Sequence, residues 1–163
     1  MPNRRSNAFL WATWLPRLIV GDNSCAWSVW FMANHYYDKV PDGDMSDWLR
    51  NHTDLVKQLG RQRADSGDVV TIEGENTFLL RRSSGLEIKG RPDLVARNSE
   101  RVTVVEAKTG ARRDSDVAQV KLYMACLPKF SNAYTAIPMY GEVVYRDGHR
   151  VLIEPSDLTS GFA

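Results

Sequence analysis

A short apolar segment that ends in two charged residues is the part of the sequence best suited to carry out chemistry. It reads Val-Thr-Val-Val-Glu-Ala-Lys over residues 102–108. Alternate side chains of a β-strand share a face, so Glu106 and Lys108 are expected to lie on the face of Val104. Two charges at the end of a buried face are costly unless something binds them. The segment therefore predicts a functional site, the alternative being a surface strand that ends in an ordinary salt bridge.

The hairpin that precedes this segment gives Glu106 an acidic neighbour. A loop over residues 98–101 places Arg97 opposite Val102, and the same register places Asp93 opposite Glu106. Like charges directly opposite each other destabilise a sheet. A divalent cation between them reverses that effect, because hard cations are held by carboxylate oxygens. The register therefore predicts a metal site at Asp93 and Glu106.

Such a site fits the hydrolysis of a phosphodiester bond. The reaction needs an activated water and positive charge against the phosphorus centre that forms during attack. A metal at Asp93 and Glu106 could meet the first need, while Lys108 could orient the water or neutralise the phosphate as a point charge. We therefore expect a hydrolase that depends on Mg²⁺ or Mn²⁺, with these three residues as its catalytic core.

The apolar pattern predicts the elements that must position these residues. Residues 1–66 are expected to be helical, with helices over 25–37 and from 46 or 47 onward, the second carrying His52 in an apolar stripe. Residues 67–163 predict strands over 69–72, 77–82, 86–96, 102–108, 142–146 and 150–153, and a helix over 114–127 that ends at Pro128. This order predicts one α/β domain over residues 1–163, with a mixed sheet flanked by helices.

The charge of the chain is uneven although its sum is small. The 163 residues carry a net charge of +1 and are 43% hydrophobic, which is typical of a globular protein. Between Arg81 and Arg113 there are nine basic and four acidic residues, a local excess of +5. A basic segment on a nearly neutral chain favours a phosphate-binding face, although a solvated surface is the simpler explanation.

The cysteine count and the N-terminus bear on the cellular setting. Cys25 and Cys126 are too few for a disulfide framework and are not spaced as a zinc or iron–sulfur site, so a reduced cytoplasmic setting is expected. The first 20 residues superficially resemble a signal peptide, but Pro16 and Arg17 interrupt the apolar run, and we expect this segment to belong to the fold. No stretch is long enough to span a bilayer.

Two segments together resemble a known nuclease signature. Gly-Arg-Pro-Asp at 90–93 and Val-Glu-Ala-Lys-Thr-Gly at 105–110 are similar to the motif of the PD-(D/E)XK superfamily, with Asp93 and Glu106 13 residues apart. The RecB-like branch, which includes CRISPR-associated and phage exonucleases, resembles this chain further. There, Thr-Gly follows the Glu-x-Lys and a helix then carries Gln-x-x-x-Tyr, here Gln119 and Tyr123. That branch also has an upstream metal-binding His, for which His52 is the matching residue.

The resemblance implies a restriction-endonuclease-like fold and a metal-dependent DNA nuclease that acts on DNA ends or single strands. It leaves open exonuclease or endonuclease action, polarity, DNA or RNA preference, the number of metals and the oligomeric state. The alternative is a non-catalytic module on the same fold that binds nucleic acid or a protein partner. The implied site comprises catalytic Asp93, Glu106, Lys108 and Gln119, metal ligands His52, Asp93 and Glu106, and nucleic-acid contacts Arg91, Arg112, Arg113 and Tyr123.

Several of these residues also have simpler explanations. His52 could be a core histidine in its apolar stripe, Gln119 an ordinary polar helix residue, and Tyr123 a core residue. Many RecB-like members carry four cysteines around an iron–sulfur cluster, which the two cysteines of this chain cannot supply, so we expect no cluster. The N-terminal part is then expected to be stabilised by packing of its tryptophans, namely Trp11, Trp14, Trp27 and Trp30.

Overall fold

The computed structural model describes residues 3–22, 25–38, 43 and 45–158, and its strands form two sheets flanked by helices. The four elements of the N-terminal part are β1 (Phe9–Trp11), α1 (Trp14–Ile19), α2 (Ala26–Asn34) and α3 (Ser46–Asp65). The first of them is a strand, so the prediction of a wholly helical N-terminal part was wrong. A strand of three residues is too short to show the alternation by which strands are recognised in a sequence.

The smaller sheet joins the N-terminal part to the rest of the chain. Its strands are β1, β3 (Phe78–Arg81) and β4 (Glu87–Gly90), with β4 in the centre, parallel to β1 and antiparallel to β3. We predicted a single strand over residues 86–96, but that stretch is divided between the two sheets. Pro92 lies at the break, where its missing N–H and fixed backbone angle prevent continuous pairing.

The larger sheet holds the charged segment at its centre. It runs in the order β2 (Val69–Ile72), β5 (Leu94–Arg97), β6 (Val102–Lys108), β7 (Met139–Tyr145) and β8 (Arg150–Ile153). Strands β6 and β7 are parallel, whereas the other pairs are antiparallel. Parallel neighbours require a crossover connection, which here contains helix α4 (Asp114–Phe130).

Strand β6 is covered on both faces. Val104 packs in one core with Val120 and other residues of α4, whereas Val105 packs in a second core with Val56 and Leu59 of α3. Both faces of the strand are therefore largely apolar up to Val105, which fits its valine-rich sequence. The charged end of the strand meets α4 on one side and α3 on the other.

Helix α4 is longer than predicted. We expected Pro128 to end it, but the helix continues to Phe130 with Pro128 in its last turn. A proline lacks only its own N–H, so the following residues can still bond to earlier carbonyls. The N–H of Ser131 donates to the carbonyl of Leu127 at 3.0 Å. None of the helices in the described part of the chain is long and apolar enough to cross a membrane.

The tryptophans of the N-terminal part differ in how they pack. Trp11 and Trp14 are half-buried and each meets the ring of Phe9 edge-on, with ring centroids 5.7 and 6.4 Å apart. Trp27 is 65% exposed and Trp30 is 52% exposed, so the prediction that these two stabilise the N-terminal part by packing was wrong. Helix α2 buries its opposite side through Val29 and Ala33, which leaves the tryptophans on the solvent side. Trp27 stacks on Phe31, with ring centroids 5.3 Å apart.

Candidate active site

The hairpin of β5 and β6 has the predicted register. Arg97 lies opposite Val102 and Leu94 opposite Val105, so Asp93 and Glu106 follow at the open end of the ladder. The turn is held by the side chain of Asn98, whose Oδ1 accepts the N–H groups of residues 100 and 101 at 2.9 and 3.0 Å. This local bond fixes the loop length and thereby the partner of each residue along the strands.

Asp93 is tied to both the strand and a helix. Its Oδ2 accepts the backbone N–H of Ala107 at 2.9 Å, and its Oδ1 lies 3.4 Å from Nε2 of His52 on α3. The hydrogen bond to Asp93 raises the pKa of His52 although burial opposes the shift. The structure therefore brings the upstream histidine to the strand hairpin, as the family resemblance implied for this residue.

Glu106 is buried with only half of its hydrogen-bonding capacity used. Its Oε1 accepts from Nε2 of Gln119 at 2.6 Å and from Nζ of Lys108 at 3.0 Å. Its Oε2 is buried and has no hydrogen-bond partner among the residues that the structure describes. Burial, together with the charge of Asp93, raises the pKa of Glu106 to about 7. A proton or a cation at this carboxylate would relieve its unfavourable environment.

Lys108 is held by three oxygen atoms. Besides Glu106, its Nζ lies 3.1 Å from Oε1 of Gln119 and 3.5 Å from Oδ1 of Asp116. Burial alone would lower the pKa of Lys108, but the charges of Glu106 and Asp116 outweigh burial and raise it. Lys108 is therefore a cation fixed in position, and Gln119 bridges it to Glu106.

Asp116 and Tyr145 also belong to this network. The sequence analysis did not identify either of them as a site residue. Asp116 is buried, and its Oδ2 accepts from the hydroxyl of Tyr145 at 3.0 Å and from the backbone N–H of Arg113 at 3.1 Å. The position of Asp116 three residues before Gln119 was a usable signal, since that spacing shares a helix face. Tyr145 could be found only from the parallel register that places it beside Lys108.

Tyr123 lies beneath the network. It is 1% exposed, its ring meets Phe78 edge-on at 6.0 Å, and its hydroxyl accepts from Nε2 of Gln119 at 3.1 Å. Burial raises the pKa of its hydroxyl. These contacts favour the core-packing role that the sequence left open over a direct contact with nucleic acid.

The predicted arginine contacts are divided between two locations. Arg91 and Arg113 line a cavity of about 640 Å³ that also contains Asp93, Glu106 and Lys108. Arg112 lies outside this cavity, and its guanidinium pairs with Asp147 at 2.6 Å. The charge of Arg112 is thus already balanced within the protein.

The donor atoms around Asp93 fit a divalent cation, although they do not form a finished cage. No group of three or more His, Cys, Asp or Glu side chains converges as a metal site within the described ranges. Glu106 has its Oε1 engaged by Lys108 and Gln119. Its unpartnered Oε2, with Asp93 and the imidazole of His52, makes an oxygen-rich donor set suited to Mg²⁺ or Mn²⁺.

Comparisons with known proteins bear on the family. The model of the PD-(D/E)XK nuclease superfamily matches residues 24–147, a range that contains every residue of the network described above. No curated protein matches the chain. A solved structure described as the crystal structure of SSO0001 is 16% identical, with a TM-score of 0.47, over 92% of this chain and 69% of that one. Because the family match spans most of its length, the chain belongs to the PD-(D/E)XK nuclease superfamily.

Proposed function

We propose that the protein is a divalent-metal-dependent deoxyribonuclease that hydrolyses phosphodiester bonds. The observation that supports this most directly is the buried, unpartnered Oε2 of Glu106, which shares one cavity with Asp93 and the cation of Lys108. A protein without such chemistry would gain nothing from an uncompensated buried carboxylate. The proposed reaction class follows from membership of the superfamily, and the residues proposed to carry out the reaction line the cavity.

His52, Asp93 and Glu106 would hold Mg²⁺ or Mn²⁺. When bound, such a cation supplies Lewis acidity and lowers the pKa of a coordinated water. The imidazole of His52 favours Mn²⁺ over Mg²⁺, because Mg²⁺ prefers oxygen donors. His52 must be unprotonated to bind metal, so metal affinity should fall as the pH drops through the titration range of His52. The raised pKa of His52 moves that range to higher pH.

Lys108, whose Nζ donates to Oε1 of Glu106, would act on the substrate directly. Its ammonium can hydrogen-bond to a phosphate oxygen or to the attacking water, and its fixed charge stabilises the negative charge that develops at the phosphate. Gln119 and Asp116 hold Nζ in place, so the group is positioned before the substrate arrives. Gln119 and Asp116 are positioning residues in this proposal, and Tyr145 supports Asp116.

We propose further that the protein belongs to the RecB-like branch and acts as an exonuclease on DNA ends or single strands. The support is the Gln119–Tyr123 pair one turn apart on α4 and the proximity of His52 to Asp93. The alternative function is a non-catalytic module that binds nucleic acid or a partner. The complete set of Asp93, Glu106 and Lys108 argues against it, because a module without activity is expected to lose at least one of them.

The test is incubation of the pure protein with end-labelled single-stranded DNA, duplex DNA and RNA, in Mg²⁺, Mn²⁺ or EDTA. We expect cleavage of DNA with either metal and none in EDTA, with products that shorten progressively from an end. Lys108→Ala is the control for a contaminating nuclease. Binding of DNA without cleavage in every metal would support the non-catalytic alternative and overturn the proposal.

The role of His52 has a separate test by calorimetry. His52→Ala should weaken Mn²⁺ binding and lower cleavage, with little change in the free energy of unfolding without metal. His52→Gln is the matched variant, since it keeps a hydrogen bond to Asp93 while replacing the imidazole ligand. Unchanged Mn²⁺ affinity together with easier unfolding would show that His52 is a core histidine instead.

A further inference from the structure

An exposed tryptophan lies one helical turn before His52. Trp48 is 48% exposed. Its indole is nearly parallel to the imidazole of His52, with ring centroids 5.3 Å apart and an interplanar angle of 7°. Because His52 covers one face of the indole and about half of the residue is exposed, the other face is open to solvent.

The open face of Trp48 borders the candidate active site. Trp48 and His52 both line the cavity that contains Asp93 and Lys108, and His52 lies 3.4 Å from Asp93. Basic side chains also line this cavity, namely Arg17, Arg91 and Arg113. An open aromatic ring, guanidinium groups and the carboxylate pair thus surround one space of about 640 Å³.

We propose that Trp48 binds a nucleobase, and that its open face stacks on an unpaired base next to the phosphate held at Asp93 and Lys108. This inference rests on the proposed function and names the substrate class as single-stranded nucleic acid. The base, Trp48 and His52 then form one continuous stack beside the carboxylates. The basic side chains around the cavity contact the phosphates that flank this base.

The geometry favours an unpaired base. Within a duplex, both faces of every base are covered by its neighbours except at the two ends, so an indole can reach the face of an internal base only after unstacking. A single strand or a frayed end presents such a face without that cost. Every base has a π face, so stacking on Trp48 gives strand selectivity with little sequence preference.

The test measures binding of a labelled single-stranded oligonucleotide of mixed sequence by anisotropy. It uses the Lys108→Ala background in Mg²⁺, so that the strand stays intact. A single abasic nucleotide is moved along the strand in successive oligonucleotides. We expect Trp48→Ala to weaken binding about tenfold, as the loss of one base stack does, and Trp48→Phe to restore most of the affinity. One abasic position should weaken binding by a similar factor, and Trp48→Ala should add nothing to that loss.

Trp27→Ala is the matched control. Trp27 is also exposed and also stacks on the residue four positions later, Phe31, but it does not line the cavity. We expect this variant to bind as the parent does. Two results would overturn this inference while leaving the proposed function intact. One is equal binding by Trp48→Ala and the parent. The other is that, at every abasic position, Trp48→Ala still weakens binding further. Failure of the parent to bind or cleave any oligonucleotide would overturn the proposed function and this inference with it.

Discussion

Two glutamates buried in the same sheet differ in how their charges are balanced. Glu106 on β6 is 5% exposed and Glu142 on the adjacent β7 is 2% exposed. The two oxygens of Glu142 each face a guanidinium, that of Arg63 on α3 and that of Arg150 on β8, with the second at 2.7 Å. Glu106 has one oxygen bound by Lys108 and Gln119 and the other without a described partner.

We interpret this difference as one between a structural carboxylate and a carboxylate that we propose to take part in chemistry. Burial of a charge is tolerated when hydrogen bonds and opposite charges replace the lost water. Glu142 meets that condition through Arg63 and Arg150, and its ion pairs therefore link β7 to α3 and to β8. Glu106 does not meet it, and burial and Asp93 raise its pKa to about 7. An incompletely balanced carboxylate in a cavity is the pattern expected of a functional group.

The largest expected difference between the two glutamates is in activity. Glu106→Gln and Lys108→Ala should reduce cleavage by about 10³-fold or more, because each removes a charged group that acts on the reacting phosphate or its metal. Glu142→Gln should retain cleavage within a few-fold of the parent at a temperature where it is folded. Initial rates on labelled DNA measure this contrast. Near-parent cleavage rates for either Glu106→Gln or Lys108→Ala would contradict the proposed catalytic role of that residue.

The free energy of unfolding should be affected more by Glu142→Gln than by Glu106→Gln, the reverse of the order expected for activity. Glu142→Gln leaves two guanidinium groups partly unbalanced, so the free energy of unfolding should fall by about 3 kcal/mol. Above about pH 7, where Glu106 is ionised, Glu106→Gln removes a repulsive charge next to Asp93, so in EDTA the free energy of unfolding should hold or rise. Urea denaturation of both variants in EDTA measures the two values. A larger loss for Glu106→Gln than for Glu142→Gln would make Glu106 the structural residue.

The pH dependence of stability without metal should follow from the raised pKa of Glu106. The folded protein keeps a proton on Glu106 up to about pH 7, whereas the unfolded chain releases it near the ordinary value of 4.5. The folded state therefore binds more protons in this window, and stability should fall as the pH rises from about 4.5 to 7. The raised pKa of His52 acts in the same direction near neutral pH. Glu106→Gln should flatten the slope in thermal melts in EDTA, whereas Glu142→Gln should keep it.

The smallest effect is expected at the residues that position Lys108. Asp116→Asn should lower kcat about tenfold with little change in KM, because it removes the negative charge from one of the three oxygen contacts that hold the ammonium. Tyr145→Phe should lower kcat less, since it acts only through Asp116. Steady-state rates give the two constants, and Asp116→Glu tests for recovery by a restored charge. A change confined to KM would assign Asp116 to substrate binding.

The carboxylate pair could be predicted because it depends on local structure. The turn fixed by Asn98 sets the register over a few residues, and the register alone places Asp93 beside Glu106. The bounds of β2, β6 and β8 were likewise predicted, since each is a short apolar run between turn residues. The family resemblance supplied His52 and Gln119, whose positions near Asp93 and Glu106 no local pattern gives.

The rest depends on contacts between distant parts of the chain. Strand β1 exists because it adds to β4, and its three residues carry no pattern of their own. The exposed tryptophans could not be told from core residues, because helical spacing shows which residues share a face and not which face is buried. Asp116 and Tyr145 meet only once β7 lies parallel to β6. The sequence of neither strand predicts that pairing.

The crossover through α4 also has a consequence for the order of folding. Asp93 and Glu106 meet across a hairpin and are 13 residues apart in the sequence, whereas Tyr145 follows Lys108 by 37 residues. Short loops close before long ones, so the hairpin brings the two carboxylates together while α4 is still undocked. We therefore expect the repulsion within the acid pair to oppose closure of the hairpin, and docking of α4, which brings Gln119 to Glu106, to stabilise it.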